Sequence, residues 1–417
     1  MAPGTVLTLD VERPAVGGRM IARAEGAVVL VAGGIPGERV RARVERLQRG
    51  TCFAHVIEVL TPSPDRVTPD PGLACGGQVF AHIADERQRT LKGEMIADAF
   101  RRQARVTLDR VPVVAGPPDG YRTRARAHVR HGGWGFFEER SHTPCGIGAS
   151  RQLADDSALV LERLCAAVAA AAPRATAEVE WVETVAGRPR AAWVHLASGR
   201  WERALDAVEG VDGCAVSDAA RPRGAVLWGE PSVTDSVAGT SGDVRVRHHV
   251  RAFFQGNRHL LARLVSIVQA RVTAASVADL YAGVGLFSLA VAGEGRTVDA
   301  VEADRWAAAD LAANAATVPG VTALRQPVER FLASGPERRY GAVVVDPPRT
   351  GLGAEVAAAL AAWRVPSIVY VSCDPVTLAR DVRALMEAGY VPEDVLGVDL
   401  FPRTAHVETV VTLGTGR

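Results

Sequence analysis

The sequence predicts an α/β protein made of a small N-terminal β-barrel, a central α+β region and a C-terminal doubly wound sheet that ends in an antiparallel hairpin. From about residue 241 onward, apolar strands alternate with alanine-rich helices, which is typical of a mostly parallel sheet covered on both faces. The first 60 residues instead contain short alternating strands separated by glycine pairs, as in a small barrel. The predicted boundaries are 1–62, 63–240 and 241–417.

The barrel is predicted from four strands and the glycines between them. Gly17 and Gly18 form one break, and the run from Gly33 to Gly37 forms another. A proline-rich stretch, Thr61–Pro64 with Pro69 and Pro71 beyond it, is typical of a linker. The predicted barrel strands are Thr5–Asp10, Ala27–Val31, Arg39–Leu47 and Phe53–Val59.

The two remaining regions differ in how clearly their pattern predicts structure. The central region suggests helices near Glu86–Ala104 and Ala154–Ala171 and a strand pair around Ala125–Phe137. The last two strands of the C-terminal region are too close in sequence for a crossover helix, so they are expected to form the antiparallel hairpin. The predicted strands of this region are Ser276–Tyr281, Thr297–Glu302, Ala342–Asp346, Ser367–Cys373, Val395–Leu400 and Val407–Leu413.

Composition excludes several classes of protein. With 48% hydrophobic and 23% charged residues, the chain is not disordered, collagen-like or coiled-coil. The net charge of +1 excludes a strongly basic protein, but residues 1–150 carry 21 basic and 16 acidic residues, whereas the rest carry 27 and 31. Short apolar runs and six scattered cysteines without a secretory segment predict a soluble protein of the reduced cytoplasm, with no membrane contact, and a monomer is expected.

Two arginine-rich strands predict contact with a polyanion. In the barrel, one face of a strand carries Arg39, Arg41 and Arg43. In the central region, Tyr121–His131 contains four arginines and two histidines without an acid, and its strand alternation groups them on a face that favours a polyanion. A solvated strand face is the alternative for both segments. The candidate residues from the second segment are Arg122, Arg124 and Arg126.

A nucleoside-binding turn is predicted where the first C-terminal strand ends. The stretch Asp279–Phe287 runs from a strand into a turn that contains Gly283 and Gly285, and glycines let the backbone approach a ligand. Glu302 ends the next strand about 20 residues later, where an acid can bind both ribose hydroxyls. The turn lacks the third glycine of a dinucleotide fingerprint, so S-adenosylmethionine fits better than NAD.

Reactive side chains are predicted at the same edge of the sheet. Asp346 opens the turn Asp-Pro-Pro-Arg after one apolar strand, and Cys373 ends the next strand. A buried structural thiol is the alternative for Cys373, although the helix that begins near Val376 is expected to lower its pKa. The hairpin brings Glu408 to this edge. A thiol nucleophile and a carboxylate base beside a methyl donor are what carbon methylation of a pyrimidine needs.

Taken together, these motifs resemble the RNA 5-methyluridine methyltransferase family, which methylates tRNA or ribosomal RNA. The segment GGIPGERVRARV, residues 33–44, resembles the TRAM domain, an OB-like RNA-binding barrel. The later motifs are FFQGN at 253–257, DLYAGVG at 279–285, DPPR at 346–349, SCDP at 372–375 and FPRTAHVE at 401–408. The resemblance covers nearly the whole chain and implies a Rossmann-like class I methyltransferase domain over residues 241–417.

The resemblance also implies roles for individual residues. Cys373 is expected to attack C6 of a uridine in tRNA or 23S rRNA, so that C5 takes a methyl group from S-adenosylmethionine, and Glu408 is expected to remove the C5 proton. The base must be flipped out or unpaired to reach the thiol. The positions that match cofactor or substrate contacts are Gln255, Tyr281, Glu302, which would lie on the ribose, and Asp346.

One departure from the family concerns an iron–sulfur site. Many members carry four cysteines there, whereas the matching positions here are Pro69, Cys75, Gln78 and Cys145. A [4Fe–4S] cluster normally uses four thiolates, so we expect no cluster and no other metal. Cys75 and Cys145 are expected to be ordinary buried thiols or a pair of near neighbours.

Other functions stay open on the sequence alone. A cytosine-C5 methyltransferase also attacks C6 with a thiol, but its cysteine usually follows a proline, whereas Pro375 comes two residues after Cys373. An RNA-binding or RNA-folding factor with dispensable catalysis would use only the arginine-rich segments. A small-molecule methyltransferase would leave the first two regions without a role.

Overall fold

The computed structural model describes residues 2–69, 75–130, 133–138, 141–293, 295–336 and 338–416. Their strands form a closed five-stranded barrel, a seven-stranded sheet, an eight-stranded sheet and one separate hairpin. Among the described residues, no helix is long and apolar enough to cross a membrane.

The N-terminal barrel closes in the strand order β1-β2-β3-β5-β4. Its inner face is apolar because alternate residues of each strand point inward, as Val40, Ala42 and Val44 do. All four predicted strands are present, and a fifth strand, β2, was missed because it is short and follows a glycine pair. The strands are β1 (Val6–Pro14), β2 (Met20–Ala24), β3 (Ala27–Ala32), β4 (Arg39–Gln48) and β5 (Thr51–Thr61).

The segment after the barrel is fastened to it. Arg66 forms an ion pair with the buried Glu38, its Nε atom lying 2.6 Å from Oε1. Of the predicted linker, Pro71 lies outside the described residues. The helix that follows, α1 (Asp85–Ala99), packs Leu91 and Met95 into the barrel core and continues into one π-helical turn, Phe100–Ala104.

The same segment also reaches the C-terminal sheet. A short strand, β6 (Val113–Val114), pairs in parallel with residues 397 and 398 of that sheet. Ile96 and Phe100 lie in the apolar core beneath the sheet. The stretch from residue 85 to residue 114 therefore joins the barrel to the C-terminal part of the molecule.

The central sheet has the order β13-β12-β11-β10-β7-β8-β9, with a helix packed on one face. The predicted strand pair is confirmed as β7 and β8, and the predicted helix as α2; His131 of the arginine-rich segment lies outside the described residues. The elements are β7 (Arg124–Arg130), β8 (Gly133–Phe137), β9 (Pro144–Cys145), a 3₁₀ turn (Gly148–Ser150), α2 (Asp155–Ala171), β10 (Thr176–Glu183), β11 (Arg190–Ser198), β12 (Gly213–Ser217) and β13 (Ala225–Trp228).

A separate hairpin leads into the C-terminal sheet, which has the order β18-β17-β16-β19-β20-β22-β21-β6. The predicted doubly wound sheet and its antiparallel end are confirmed, and the missed strand, β18, lies at one edge. The elements are β14 (Ser232–Gly239), β15 (Gly242–His249), α3 (Leu261–Arg271), β16 (Ser276–Leu280), α4 (Leu286–Val291), β17 (Thr297–Glu302), α5 (Arg305–Ala315), β18 (Val321–Arg325), α6 (Val328–Ala333), β19 (Ala342–Val345), α7 (Gly353–Ala362), β20 (Ser367–Ser372), α8 (Pro375–Glu387), β21 (Tyr390–Val398) and β22 (Glu408–Thr415).

This topology brings distant parts of the chain to one edge. The parallel strands β16, β17, β19 and β20 all end there, which is where ligands bind in open α/β sheets. Strand β22 runs antiparallel to β20, so its first residue, Glu408, starts at the same edge.

Candidate active site

A cavity of about 660 Å³ opens at this edge of the C-terminal sheet. It contains the nucleophile and the base predicted from the sequence together with most of the predicted cofactor-binding residues. The predicted residues that line it are Gln255, Tyr281, Gly283, Glu302, Asp346, Cys373 and Glu408. The size of the cavity is in the range of small-molecule and cofactor sites.

The turn after β16 forms a backbone cradle on one side of the cavity. Tyr281 and Gly283 both have a positive φ, of 61° and 58°, and a Cβ atom added at Gly283 would meet no atom closer than 4.0 Å. Gly285 does not line the cavity. It has a φ of 93°, and a Cβ atom there would lie 2.7 Å from Leu311, so this glycine allows close packing under the turn.

Glu302 faces the cradle from the end of β17. Its Oε2 atom accepts a hydrogen bond of 2.9 Å from the Gly283 backbone NH, and its Oε1 atom accepts bonds from the backbone NH groups of Ala303 and Asp304. These bonds fix the carboxylate at the cavity wall, while the side chain remains partly exposed. Such a carboxylate suits the two hydroxyls of a ribose.

Asp346 lines the cavity, and the buried Asp279 is its electrostatic neighbour but does not line it. Burial raises the pKa of Asp346 to about 7, with a further increase from Asp279, while the hydrogen bond from Gln255 acts in the opposite direction. Gln255 Nε2 donates to Asp346 at 3.2 Å. Burial likewise raises the pKa of Asp279 to about 7, although Ser288 donates a hydrogen bond of 2.5 Å to it. The hydrogen bonds to these two carboxyls therefore do not offset the effect of burial.

The structure contradicts the expected lowering of the Cys373 pKa. Burial, followed by the charge of Glu408, raises the pKa of this thiol to about 11. The α8 N-terminus does not reverse the shift, because the Asp374 carboxylate accepts hydrogen bonds from the backbone NH groups of Val376 and Thr377. The guanidinium of Arg349, which lines the same cavity, acts to lower the pKa of the thiol.

Glu408 lies deep in the cavity with one oxygen free of protein partners. The residue is 2% exposed, and its buried Oε1 atom has no hydrogen-bond partner among the described residues. Burial, with the charge of Asp346 adding to it, holds the pKa of Glu408 well above its usual range. A carboxylate kept in this state has a high affinity for a proton.

Several cavity residues were not assigned by sequence reasoning. Arg251, Phe253 and Phe254 reach the cavity from the segment after β15, and Phe401 reaches it from the loop before β22. Arg349 belongs to the recognised Asp-Pro-Pro-Arg turn, and its position beside Asp346 is the signal that could have identified it. Likewise, Phe253 and Phe254 belong to the recognised FFQGN motif and Phe401 to FPRTAHVE. Arg251 needed the tertiary fold.

The two arginine-rich strands differ in how far their arginines reach solvent. Arg39, Arg41 and Arg43 are exposed on one face of β4, as predicted. On β7, Arg124 is partly buried and donates to the Val250 carbonyl oxygen at 2.7 Å, so it holds the adjoining chain instead of facing solvent.

The other two candidates from this segment also have protein partners. Arg122 donates a hydrogen bond to the Gln152 side chain. Arg126 is 58% exposed but lies 3.3 Å from Glu180 and 3.8 Å from Glu178. Acids on the neighbouring strand β10 lie opposite the segment, so its arginines are partly engaged within the protein. Contact of this segment with RNA stays a prediction.

Cys75 and Cys145 are neighbours and form a disulfide, with their Cα atoms 5.6 Å apart. The bond joins the segment that precedes α1 to strand β9. Among the described residues, no group of three or more His, Cys, Asp or Glu side chains could hold a metal ion.

Comparison with known proteins identifies the family. The family model for tRNA (uracil-5-)-methyltransferase matches residues 104–415, and the model for the TRAM domain matches residues 2–57. The chain belongs to the tRNA (uracil-5-)-methyltransferase family. It is accordingly an enzyme that methylates C5 of uracil in RNA and uses S-adenosylmethionine as the methyl donor.

Individual relatives cover almost the whole chain. The 23S rRNA (uracil(1939)-C(5))-methyltransferase of Chromohalobacter salexigens is 33% identical over 97% of this chain and 88% of its own length. An uncharacterised RNA methyltransferase of Streptomyces coelicolor is 32% identical over 98% of this chain and 93% of its own.

A solved structure shows the same fold. It is the tRNA (uracil-54, C5)-methyltransferase of Pyrococcus abyssi in complex with S-adenosyl-L-homocysteine, with a TM-score of 0.74 and 21% identity. The match covers 98% of this chain and 100% of the other.

Proposed function

We propose that the protein methylates C5 of one uridine in 23S ribosomal RNA, with Cys373 as the nucleophile and Glu408 as the proton acceptor. The observation that carries this proposal is that both side chains line one cavity together with Glu302 and the glycine cradle. The choice of ribosomal RNA rests on relatives with 32 to 33% identity that are named as 23S rRNA methyltransferases.

The residues of the cavity suit S-adenosylmethionine. The Glu302 carboxylate would bind the ribose, and the open space above Gly283 would let the backbone approach the nucleoside. The carboxyl of Asp346, which lines the cavity, and that of its buried neighbour Asp279 favour a cationic ligand over an anionic one. When bound there, the cofactor supplies an electrophilic methyl group.

Cys373 begins the reaction by adding to C6 of the uracil. The thiol loses its proton to solvent, its sulfur forms a bond to C6, and the electron pair of the 5,6 double bond makes C5 nucleophilic. Because burial holds the thiol pKa at about 11, the thiolate needs a nearby cation. We assign that role to Arg349, which lines the same cavity and acts to lower the pKa of the thiol.

Glu408 completes the reaction once C5 carries the methyl group. Its carboxylate removes the remaining proton from C5, the 5,6 double bond re-forms, and the bond between sulfur and C6 breaks to release Cys373 as a thiolate. The buried Oε1 atom, which has no partner among the described residues, is the acceptor that the geometry supports. Its raised pKa makes this carboxylate a stronger base than an exposed glutamate.

The target uridine must leave the RNA stack to reach the cavity, at a cost of a few kcal/mol. We propose that Arg39, Arg41 and Arg43 on the barrel contact RNA phosphates away from the target, since their strand face is exposed. Domain boundaries at residues 62 and 240, a monomeric state and a cytoplasmic location stay predictions.

A methylation assay tests the proposal. Unmodified 23S rRNA and bulk tRNA are each incubated with labelled S-adenosylmethionine, and the modified nucleoside is identified by mass spectrometry. We expect 5-methyluridine in 23S rRNA and its loss in Cys373→Ala, with Cys214→Ala as the matched control because Cys214 is a buried thiol far from the cavity. Label in tRNA alone would refute the ribosomal target, and an active Cys373→Ala variant would refute the nucleophile.

A further inference from the structure

Two arginines beside the mouth of the active-site cavity each lie over an indole ring. The guanidinium carbon of Arg251 is 5.5 Å from the ring centroid of Trp193, and that of Arg305 is 4.5 Å from Trp306. Both distances fall within the range of cation–π contacts. We call these four residues the Arg–Trp ledge.

The indoles of the ledge form a rigid base. Their ring centroids are 5.5 Å apart, and Trp306 stacks on His249 at 4.3 Å with an interplanar angle of 4°. Trp193 is 4% exposed, and its Nε1 atom donates to Ser217 at 2.9 Å. Because Trp193 belongs to β11 and Trp306 to α5, the ledge crosses from the central sheet to the C-terminal sheet.

The ledge adjoins the cavity at two points. Arg251 itself lines the cavity, and Arg305 follows Asp304, which also lines it. A nucleotide whose base occupies the cavity has its own phosphates at the mouth, so the neighbouring RNA strand must run past this rim.

The charge of the ledge is only partly compensated. Arg305 is exposed and has no ion pair among the described residues. Arg251 lies 3.3 Å from Glu180, but the same carboxylate oxygen is also 3.3 Å from Arg126. Glu180 therefore serves two guanidinium groups, of which Arg126 also lies 3.8 Å from Glu178. In agreement, burial together with the surrounding guanidinium groups lowers the pKa of His249, beneath the ledge, to about 4.

A guanidinium positioned over an aromatic ring loses part of its conformational freedom before a ligand binds. Such a group matches the geometry of a phosphate and loses little further entropy on binding it. Two such groups beside a nucleotide-binding cavity are thus suited to hold a phosphodiester chain in a fixed register.

We propose that Arg251 and Arg305 bind the phosphates of the RNA strand that adjoins the flipped uridine. This inference rests on the proposed function for the identity of the RNA. It adds two contacts that the arginine pattern of the sequence did not indicate, since Arg251 and Arg305 lie outside both arginine-rich strands.

The test uses the full-length protein with Arg251→Gln, Arg305→Gln and the double variant. The matched control is Arg263→Gln, because Arg263 is exposed on α3 and does not line the cavity. Binding to a 23S rRNA fragment is measured across a salt series, and S-adenosyl-L-homocysteine binding is measured by calorimetry. We expect each ledge variant to weaken RNA binding about tenfold and to reduce the salt slope by about 0.7. Cofactor affinity and the control variant should match the wild type.

Kinetics give a second readout. The ledge variants should raise the KM for RNA and leave kcat at saturating RNA unchanged. The reason is that the phosphate contacts are equally strong in the bound complex and in the transition state. Arg305→Lys should retain the salt slope, because the charge remains.

Three outcomes separate the possibilities. Wild-type RNA affinity and salt slope in the double variant would overturn the inference. Weaker cofactor binding with unchanged RNA binding would also overturn it, because Arg251 would then be a cofactor contact. If the wild type binds the fragment through the ledge but does not methylate it, the choice of 23S rRNA fails and the phosphate contact stands.

Discussion

The cavity and the arginine strands carry opposite charges, and the fold compensates them to different degrees. In and beside the cavity, Asp279, Asp346 and Glu408 are held with raised pKa values, because burial outweighs the hydrogen bonds and the few cations nearby. On β4 and β7, most guanidinium groups have an acid or a carbonyl oxygen as a partner. Acids without a compensating partner are therefore concentrated where the ligands meet.

The two arginine strands also differ from each other. Strand β4 belongs to a barrel with a solvent-exposed outer face, so Arg39, Arg41 and Arg43 reach solvent. Strand β7 lies inside a seven-stranded sheet, next to β10, and the segment around residue 250 covers one end of it. The same alternation of arginines thus gives a solvent-exposed face in one place and a structural contact in the other.

The largest effect is expected at the cavity, from Glu408→Gln. The amide cannot accept the C5 proton, so turnover should fall by at least about a hundredfold. The bond between Cys373 and C6 cannot then break, and a covalent complex of protein and RNA should accumulate on a denaturing gel. Glu393→Gln, on the exposed surface of β21, is the control. If Glu408→Gln turned over near the wild-type rate, a residue other than Glu408 would be the base that removes the C5 proton.

A second prediction concerns the effect of Asp279, a buried acid beside the cavity, on the stability of the fold. Asp279 has its folded-state pKa raised to about 7 from 3.8, so between these values the folded protein holds a proton that the unfolded chain releases. Stability should therefore fall as the pH rises from about 4 to about 7. Asp279→Asn should remove this pH dependence. Its free energy of unfolding should exceed that of the wild type by about 2 to 4 kcal/mol at pH 8 and should differ little from it at pH 4.

Denaturant unfolding at both pH values measures the effect, with Asp243→Asn on the exposed hairpin as the control. If the stability of Asp279→Asn and that of the wild type depend on pH in the same way, the fold does not hold Asp279 in its neutral form. Only Asp346 and Glu408 would then remain as acids with raised pKa values.

The third prediction tests the role of β7. Arg124→Met removes the hydrogen bond to the Val250 carbonyl oxygen and leaves that oxygen unpaired, which should cost about 1 to 3 kcal/mol of stability. RNA affinity should stay at the wild-type level. Arg126→Met is the matched variant on the same strand, and because Arg126 is exposed it should change stability little. A loss of RNA affinity without a loss of stability in Arg124→Met would restore the original prediction for this strand.

Much of the fold followed from pattern alone. The strands β19 and β20 are nearly continuous apolar runs, and β16 and β17 are mostly apolar with one internal aspartate each. The predicted ends of all four strands agree with the structure to within one residue. The strand β18 was missed because its residues are half-exposed and show no apolar run. The two-residue strand β6 has too little sequence to produce a pattern.

The sequence pattern predicted less of the active site than of the fold. Cys373 and Glu408 could be placed together because strand direction alone decides which end of the sheet they occupy. The pKa of Cys373 was predicted in the wrong direction, because it depends on burial and on neighbouring acids that topology does not specify. Arg251 escaped notice for a similar reason, since its indole partner lies on β11, in a different sheet.

The smallest effect is expected on β4, from Arg41→Gln. Arg41 Nη1 lies 2.8 Å from Glu58 Oε2, and both side chains are about half exposed, so the pair contributes at most about 1 kcal/mol to stability. RNA binding should weaken a few-fold, and its salt slope should fall by about 0.7. The reciprocal variant, Glu58→Gln, removes the competing acid and should strengthen RNA binding. If neither variant changes RNA affinity, β4 is a solvated strand face, and RNA binding depends on contacts closer to the cavity.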